Sequence, residues 1–341
     1  VNAELPSRIT VLGAGSWGTA LAIQWARAGH AVRLWARDAR LRADMARSRV
    51  NQRYLPHSPF PDALQVPSDL AAALSGADDV LIAVPSHAFR EVLSALRAQL
   101  AAGQRLCWAT KGFEVHTGRL PNEVAQDVLG TSRLTAVLSG PTFAAEVGAG
   151  LPSAMTIASR DADYAALLAH DISTANFRAY TSTDIVGVEV GGAVKNVLAI
   201  GAGLSDGLGF GANSRIALIT RGLLEMMRLG VSLGAQRETF MGLAGLGDLV
   251  LTCTDDQSRN RRFGLLLARG RGAAAALAEI GQVVEGYVAA RALRQVALRE
   301  GVSMPICEGI HGVLYDGLAA DEVVRGLMMR PIKAEFDAAG D

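Results

Sequence analysis

The chain has 341 residues, more than one hydrophobic core usually organises and enough for two domains. Half of the residues are hydrophobic, and 33 Lys plus Arg balance 33 Asp plus Glu. Burial is therefore not limiting, and no overall charge draws the chain to nucleic acid or an acidic membrane.

The start, Val1 to Pro6, has neither the basic flank nor the apolar segment of a signal sequence. Arg8 to Leu12 reads as a short buried strand, followed at once by Gly13-Ala14-Gly15-Ser16-Trp17-Gly18. An alanine-rich helix pattern runs from Thr19 to Ala28, and Ala31 to Ala36 is a second strand ending at Arg37-Asp38. Strand, glycine-rich turn, helix and strand within about thirty residues is the context in which G-x-G-x-x-G binds a dinucleotide. Gly13 allows the tight turn, Gly15 removes a Cβ that would strike a pyrophosphate, and Gly18 lets the helix pack on the strand. The helix N-terminus then presents free N–H groups and its positive dipole end to the phosphates. At the end of the second strand an acid accepts from an adenosine ribose hydroxyl, whereas an arginine pairs with a 2′-phosphate. Arg37 and Asp38 are neighbours here, and counting does not choose between them; NADPH is favoured and NADH stays open.

Asp78 to Val84 is a buried strand stopped by Pro85, and Ala88 to Leu100 reads as the next helix. Leu106 to Thr110, ending in Lys111-Gly112-Phe113-Glu114, and Leu134 to Leu138, ending in Ser139-Gly140-Pro141-Thr142-Phe143-Ala144, continue what reads as a parallel sheet. Ligands of such sheets lie beyond the carboxyl ends of the strands, which makes Lys111 and the Gly140 to Ala144 turn candidates. The plain alternative for Lys111 is a surface lysine. Strands at Ala154 to Ala158 and Phe177 to Thr181 end the β-α alternation.

From Gly187 the spacing is helical: Ile216, Ile219, Leu223, Met226 and Met227 in one stretch, Val284, Val288, Ala292 and Val296 in another. The expected division is 1–187 and 188–341. Within Gly191 to Gly201, Lys195 and Asn196 stand inside an apolar, glycine-flanked run. A helix there holds the lysine among side chains that cannot hydrate it, and burial lowers its pKa into the range of a usable proton donor. A structural ion pair is the alternative. Asp248, alone in Gly242 to Thr252, is the carboxylate such an ammonium needs. Ser258-Arg259-Asn260 opens another helix, where side chains and free N–H groups suit a phosphate or simply cap a solvated terminus. The arginine- and glycine-rich patch from Arg269 to Ala273 reads as a turn, and the chain after Pro331 is expected to fray.

The six histidines are dispersed, no Cys-x-x-Cys occurs, and no G-x-S-x-G elbow is present. No metal site and no acyl transfer are therefore expected. Cys107, Cys253 and Cys307 lack paired spacing, and no uncharged apolar run has membrane-spanning length. The cytoplasm is the expected location, with no nucleic acid, no membrane insertion and a homodimer as the expected assembly.

Six blocks in this order, from the Gly13 turn through Thr110 to Glu114, Ser139 to Ala144, Gly191 to Asn196, Gly245 to Leu249 and Ser258 to Asn260, resemble the bacterial NAD(P)-dependent glycerol-3-phosphate dehydrogenases. The similarity runs from about Ile9 to about Pro331. It implies an α/β Rossmann-type dinucleotide-binding domain followed by an all-α substrate domain. The reaction implied is hydride transfer from NADPH or NADH to dihydroxyacetone phosphate, giving sn-glycerol 3-phosphate for glycerophospholipid synthesis. By the same resemblance Lys195 is the general acid/base with Asp248 beside it, and Lys111, Gly140, Thr142, Ser258, Arg259 and Asn260 contact the substrate. Ser16, Trp17, Arg37, Tyr54, Lys111, Ala144, Arg259, Val283 and Glu285 contact the cofactor, while Asn196 and Thr252 are further polar groups around the reacting carbon. Thr142 stands where the family more often has serine, with the hydroxyl retained. Two rivals stay open: a hydroxyacid or sugar-acid dehydrogenase of the same plan, and a dinucleotide-sensing module without catalysis.

Overall fold

The structure, a computed structural model, describes residues 6–331; the residues before Pro6 and the fraying expected after Pro331 lie outside them. The chain forms two compact units, one of Val1–Thr110 with Pro121–Ile185, the other of Lys111–Leu120 with Val186–Asp341.

The first unit is built on an eight-stranded sheet. From edge to edge it runs Phe177–Ser182, Ser153–Ala158, Thr135–Ser139, Arg105–Trp108, Asp79–Ile82, Arg8–Leu12, Ala31–Trp35 and Leu64–Gln65. The central strand Arg8–Leu12 is buried at all but its first residue, as its unbroken apolar run requires. The helix Ser16–Arg27 is buried continuously from Gly18 to Ala26. Gly13 lies at φ +112°, and a Cβ there would stand 2.3 Å from the Ala83 carbonyl oxygen. A Cβ on Gly18 would stand 1.9 Å from the Gly13 carbonyl oxygen. Both glycines are therefore demanded by the backbone itself.

The sheet departs from the all-parallel reading at one place. Thr135–Ser139 and Ser153–Ala158 are antiparallel, while the other neighbouring pairs are parallel. Between them lies only the six-residue helix Ala144–Ala149, fastened by the Arg27 guanidinium to the Val147 and Gly148 carbonyls. The chain re-enters the sheet from the end at which it left. A buried strand has the same residue pattern in either direction, and the connection alone sets its sense. Leu64–Gln65 and the hairpin strand Val50–Asn51 are too short to leave a periodic signal, and Leu55–Pro59, the longer strand of that hairpin, carries two prolines and only two buried residues.

Among the described residues the elements of the second unit from Val186 on are all helices. Its longest helix, Ile185–Gly207, is the one described helix long and apolar enough to cross a membrane, and 94% of its most apolar window is buried within the protein. Gly211–Ser232, Arg259–Ala268, Glu285–Glu300 and Pro305–Tyr315 share its core, with Met226, Phe240, Phe263 and Val296 fully buried. Ile216, expected on the inner face of Gly211–Ser232, is 55% exposed, whereas Ile219, Leu223, Met226 and Met227 are buried as their spacing predicts. Phe113 and Leu120 enter this core, so the stretch Lys111–Leu120 is part of the helical unit although its flanks belong to the first unit. Glu225 reaches from Gly211–Ser232 to accept from the Ile306 and Cys307 N–H groups, capping a helix that begins with Pro305. Burial raises its carboxyl to about 7 against the pull of those two bonds. The three cysteines are free and buried.

Two neighbouring ion pairs in the first unit show what burial does to a charge. Arg8 and Asp78 pair at the surface. Asp79, fully buried, accepts from Arg105 Nε and Nη2 at 2.8 and 2.6 Å and from the Tyr164 hydroxyl at 3.0 Å. Arg105→Ala should lower the unfolding free energy by about 3–5 kcal/mol, because a buried carboxylate loses its cation. Arg8→Ala should leave it unchanged within error. Urea titration of both variants checks the contrast, and equal losses would show that burial does not govern these pairs.

Candidate active site

The helix Ile185–Gly207 places Lys195 in its middle, only 7% exposed. Gly191, one turn earlier, allows a second backbone against the helix: a Cβ there would lie 2.4 Å from the Ala244 carbonyl oxygen. Gly245 is equally constrained, with its Cβ position 2.2 Å from the Phe240 carbonyl oxygen. The intervening Leu243–Gly247 turn is widened, the Gly247 N–H reaching the Gly242 carbonyl five residues back at 3.1 Å. That turn delivers Asp248 to the lysine as the first residue of the helix Asp248–Thr254.

Lys195 Nζ donates to Asp248 Oδ1 at 2.5 Å and to Thr252 Oγ1 at 2.9 Å. Thr252, one turn after Asp248, donates its own hydrogen to the Asp248 carbonyl at 2.6 Å, so its lone pair is turned to the ammonium. The second carboxylate oxygen, Oδ2, accepts from Lys111 Nζ at 2.7 Å. Two ammonium groups thus share one carboxylate that is itself 1% exposed. Desolvation is the largest influence on Lys195 and lowers its pKa; Asp248 raises it, Lys111 lowers it, and it comes to about 8. For Asp248, burial pulls upward, but Lys111 and then Lys195 hold the carboxyl below its ordinary value. The sequence pointed to the pairing of Lys195 with Asp248. It gave no sign that Lys111, 137 residues away from Asp248, shares the carboxylate.

A second cluster forms where two helices of this unit begin. Ser258 caps Arg259–Ala268, its hydroxyl accepting from the Arg261 N–H at 3.2 Å. The Arg259 and Asn260 amides stand at the first two positions, which have no partner within a helix. Asn260, expected to contact the substrate, has its side chain committed inside the protein. Its Nδ2 donates to Asn196 Oδ1 at 2.9 Å and its Oδ1 accepts from the Gly286 N–H at 2.8 Å. Asn196, expected beside the reacting carbon, is committed in the same way, its Nδ2 donating to the Gly192 carbonyl at 3.1 Å. Arg259 lies 3.4 Å from Gln282 Oε1. Burial lowers its pKa, opposed by Glu285. Glu285, the first residue of Glu285–Glu300, is raised by burial to about 7 while Arg259 draws it down. Val283, nearby in sequence, is 38% exposed.

In the first unit, Gly15 ends at the N-terminus of Ser16–Arg27, and nothing lies within 4 Å of the position its Cβ would occupy. The protein itself does not require glycine there, so the open space suits a ligand approaching the backbone. The Trp17 indole N–H is buried without a partner in the protein. Asp38 caps the helix Ala39–Ser48, accepting from the Arg40 and Leu41 amides at 2.9 and 3.3 Å. Arg37 is left exposed, with the exposed Glu91 at 3.9 Å. Tyr54 sits on the hairpin side, its N–H on Asn51 Oδ1 and the Arg53 guanidinium over its ring. Gly140 lies at φ +152°, a Cβ there 2.8 Å from Met155 Cα; Thr142 donates to the Gly140 carbonyl, and Ala144 opens the short helix. Among the described residues no three His, Cys, Asp or Glu side chains converge as a metal site requires.

The chain matches the NAD-dependent glycerol-3-phosphate dehydrogenase N-terminus over residues 8–165 and the corresponding C-terminus over residues 184–325. It is 54% identical over 328 residues to a glycerol-3-phosphate dehydrogenase (NAD(P)+) of Actinobacillus pleuropneumoniae serotype 5b (strain L20), covering 96% of this chain and 98% of the relative. It is 55% identical over 328 residues, with the same coverage, to a protein so named from Aeromonas salmonicida (strain A449). Among solved structures it is similar to a glycerol-3-phosphate dehydrogenase from Coxiella burnetii, with a TM-score of 0.92, 46% identity and coverage of 95% of this chain and 99% of that one. With both halves matched in order, the chain belongs to the NAD-dependent glycerol-3-phosphate dehydrogenase family.

Proposed function

We propose that this chain is an NAD(P)-dependent sn-glycerol-3-phosphate dehydrogenase that reduces dihydroxyacetone phosphate and supplies glycerophospholipid synthesis as a cytoplasmic homodimer. The observation that carries the reading is the Lys195 ammonium, buried between a carboxylate and a hydroxyl and lowered to about 8 in a chain of this family. Residues 1–187 would bind the dinucleotide and 188–341 the substrate. Gly13, Gly15, Ser16, Trp17 and Gly18 would hold the pyrophosphate side of the cofactor, with Tyr54, Ala144, Val283 and Glu285 as further contacts. Because Asp38 is taken up as a helix cap, Arg37 is the side chain left to meet a 2′-phosphate, which favours NADPH.

When bound, the nicotinamide supplies the hydride. Lys195 gives a proton to the oxygen that becomes the hydroxyl, and its charge stabilises negative charge appearing there in the transition state. Asp248 and Thr252 hold the ammonium so that one N–H remains for that oxygen. Lys111, sharing Asp248, lowers the Lys195 pKa and so strengthens the acid. Arg259, with the amides at its helix start, would bind the substrate phosphate; Gly140 and Thr142 would be further substrate contacts. Adding dihydroxyacetone phosphate to the protein with NADPH, then with NADH, and following loss of the reduced cofactor tests the whole reading; no loss with either would refute it.

Lys195→Ala should reduce kcat by about 10²–10⁴ while cofactor affinity stays near normal, measured by steady-state rates and fluorescence titration. Arg259→Ala should raise the KM for dihydroxyacetone phosphate about ten- to hundredfold, and an unchanged KM would remove Arg259 from phosphate binding. The pH dependence follows from the acid. Reduction needs protonated Lys195, so kcat/KM should be level below about 8 and fall above it, whereas oxidation of glycerol 3-phosphate should rise through the same pH. In Lys111→Met the limb should move to higher pH, because a cation that lowers the Lys195 pKa is gone.

A further inference from the structure

Arg259 is flanked by residues whose side chains bond within the protein, and they lead to one buried ion pair. Arg261, 9% exposed, donates from Nη2 to Asp206 Oδ2 at 2.6 Å, and its Nη1 pairs with Asp256 in the loop before Ser258. Asp206 lies at the end of Ile185–Gly207, the helix that carries Lys195. The two helices touch through bare backbone. A Cβ on Gly203 would stand 2.0 Å from the Arg261 carbonyl oxygen, and one on Gly264 2.1 Å from the Ile200 carbonyl oxygen. The bond from Asn260 to Asn196 ties the upper end of the same contact. Arg259–Ala268 is therefore held in step with the lysine helix at Asn196, Ile200, Gly203 and Asp206.

We propose that Asp206 and Arg261 are positioning residues for substrate phosphate: their pair docks the Arg259 turn onto the lysine helix and so fixes the distance from the phosphate site to the Lys195 ammonium. The inference rests on the functional reading above and adds to it the means by which a chain of fixed length between phosphate and carbonyl is selected. Neither side chain touches the reacting atoms; they act through Arg259. Arg215 supplies the control. It also pairs with Asp206, through Nη1 at 2.8 Å to both oxygens, but belongs to Gly211–Ser232 and not to the turn.

The test compares Asp206→Asn, Arg261→Lys and Arg215→Ala in the full-length protein, with circular dichroism to confirm folding. In the first two, the KM for dihydroxyacetone phosphate should rise about tenfold or more, with NADPH affinity within about twofold of the parent. Preference over the homologue one carbon longer should narrow about fivefold. Arg215→Ala should lower Tm without raising that KM. Should Asp206→Asn fail to fold, Arg261→Lys, which keeps the charge, carries the test. Folded variants with unchanged KM and length preference would overturn the proposal while leaving the function intact, as would a KM increase in Arg215→Ala matching theirs. A parent protein that does not reduce dihydroxyacetone phosphate would instead overturn the functional reading and this inference with it.

Discussion

An ammonium removed from water needs a counter-charge at hydrogen-bond distance, and the helical unit is arranged around meeting that need for Lys195. The effective penalty for burying one ion is several kcal/mol. Here it is offset by Asp248 at 2.5 Å and by the Thr252 hydroxyl at 2.9 Å. Each partner has its own requirements. Asp248 reaches the helix because Gly191 lets the Ala244 carbonyl approach and because Gly245 lets the widened turn lie against Phe240. Thr252 faces the amine because it follows Asp248 by one helical turn and spends its proton on the Asp248 carbonyl. A larger residue at Gly191 or Gly245 would move the carboxylate and leave the ammonium buried alone. The balance stays incomplete by construction: burial outweighs the carboxylate, and the second cation at Lys111 adds to the imbalance. An acid near neutral pH is the consequence.

Two other carboxylates of the helical unit do not follow Asp248. Glu225 and Glu285 are both raised to about 7, with burial as the leading cause. Glu225 accepts two backbone N–H groups, and Glu285 has Arg259 near it, yet neither has an ammonium bound directly to an oxygen as Asp248 has twice. A folded-state pKa above the unfolded one means that the stabilisation is fully present below about 4.5 and lost as pH rises through about 7. Asp248, with its folded pKa lowered, behaves oppositely, and its contribution is lost as the pH falls. Direct cation contact, more than depth of burial, separates these acids.

The residues legible from sequence are those whose constraint is local or whose chemistry is out of place. Gly13 and Gly18 are dictated by a turn within six residues of chain, and the structure gives each a backbone oxygen where its Cβ would be. Lys195 stands out because a charge in an apolar run has few reasons to exist, and Asp248 because a lone acid in a glycine-rich stretch needs a cation. Lys111 as the second partner was not legible, since it depends on Lys111–Leu120 leaving the sheet to join a core made by residues 186 onward. The strand sense at Ser153–Ala158 was hidden for a similar reason: the residues specify burial, and only the path of the chain specifies direction. The bonds that Asn196 and Asn260 make to each other and to the Gly192 and Gly286 backbone were not legible, because an amide that can bind a ligand binds a neighbouring group of the protein equally well. Asp38 is a local case: its cap on Ala39–Ser48, through one carboxylate oxygen, depends only on residues within three positions of it.

The glycine contacts between Ile185–Gly207 and Arg259–Ala268 explain why such a site belongs on helices and not on loops. Side chains packed between helices ordinarily leave axes 8–10 Å apart and allow small rotations as rotamers change. Gly203 against the Arg261 carbonyl and Gly264 against the Ile200 carbonyl remove that cushion and put backbone on backbone. The contact has no rotamers to adjust, so the Arg259 turn and the lysine cannot drift independently. A misplacement of about 1 Å is enough to reduce a reaction rate about a hundredfold, and under the proposed function a rigid separation would convert the binding of a remote phosphate into alignment of the carbonyl. Four bare Cα positions, at Gly191, Gly203, Gly245 and Gly264, thereby do for geometry what Asp248 does for charge.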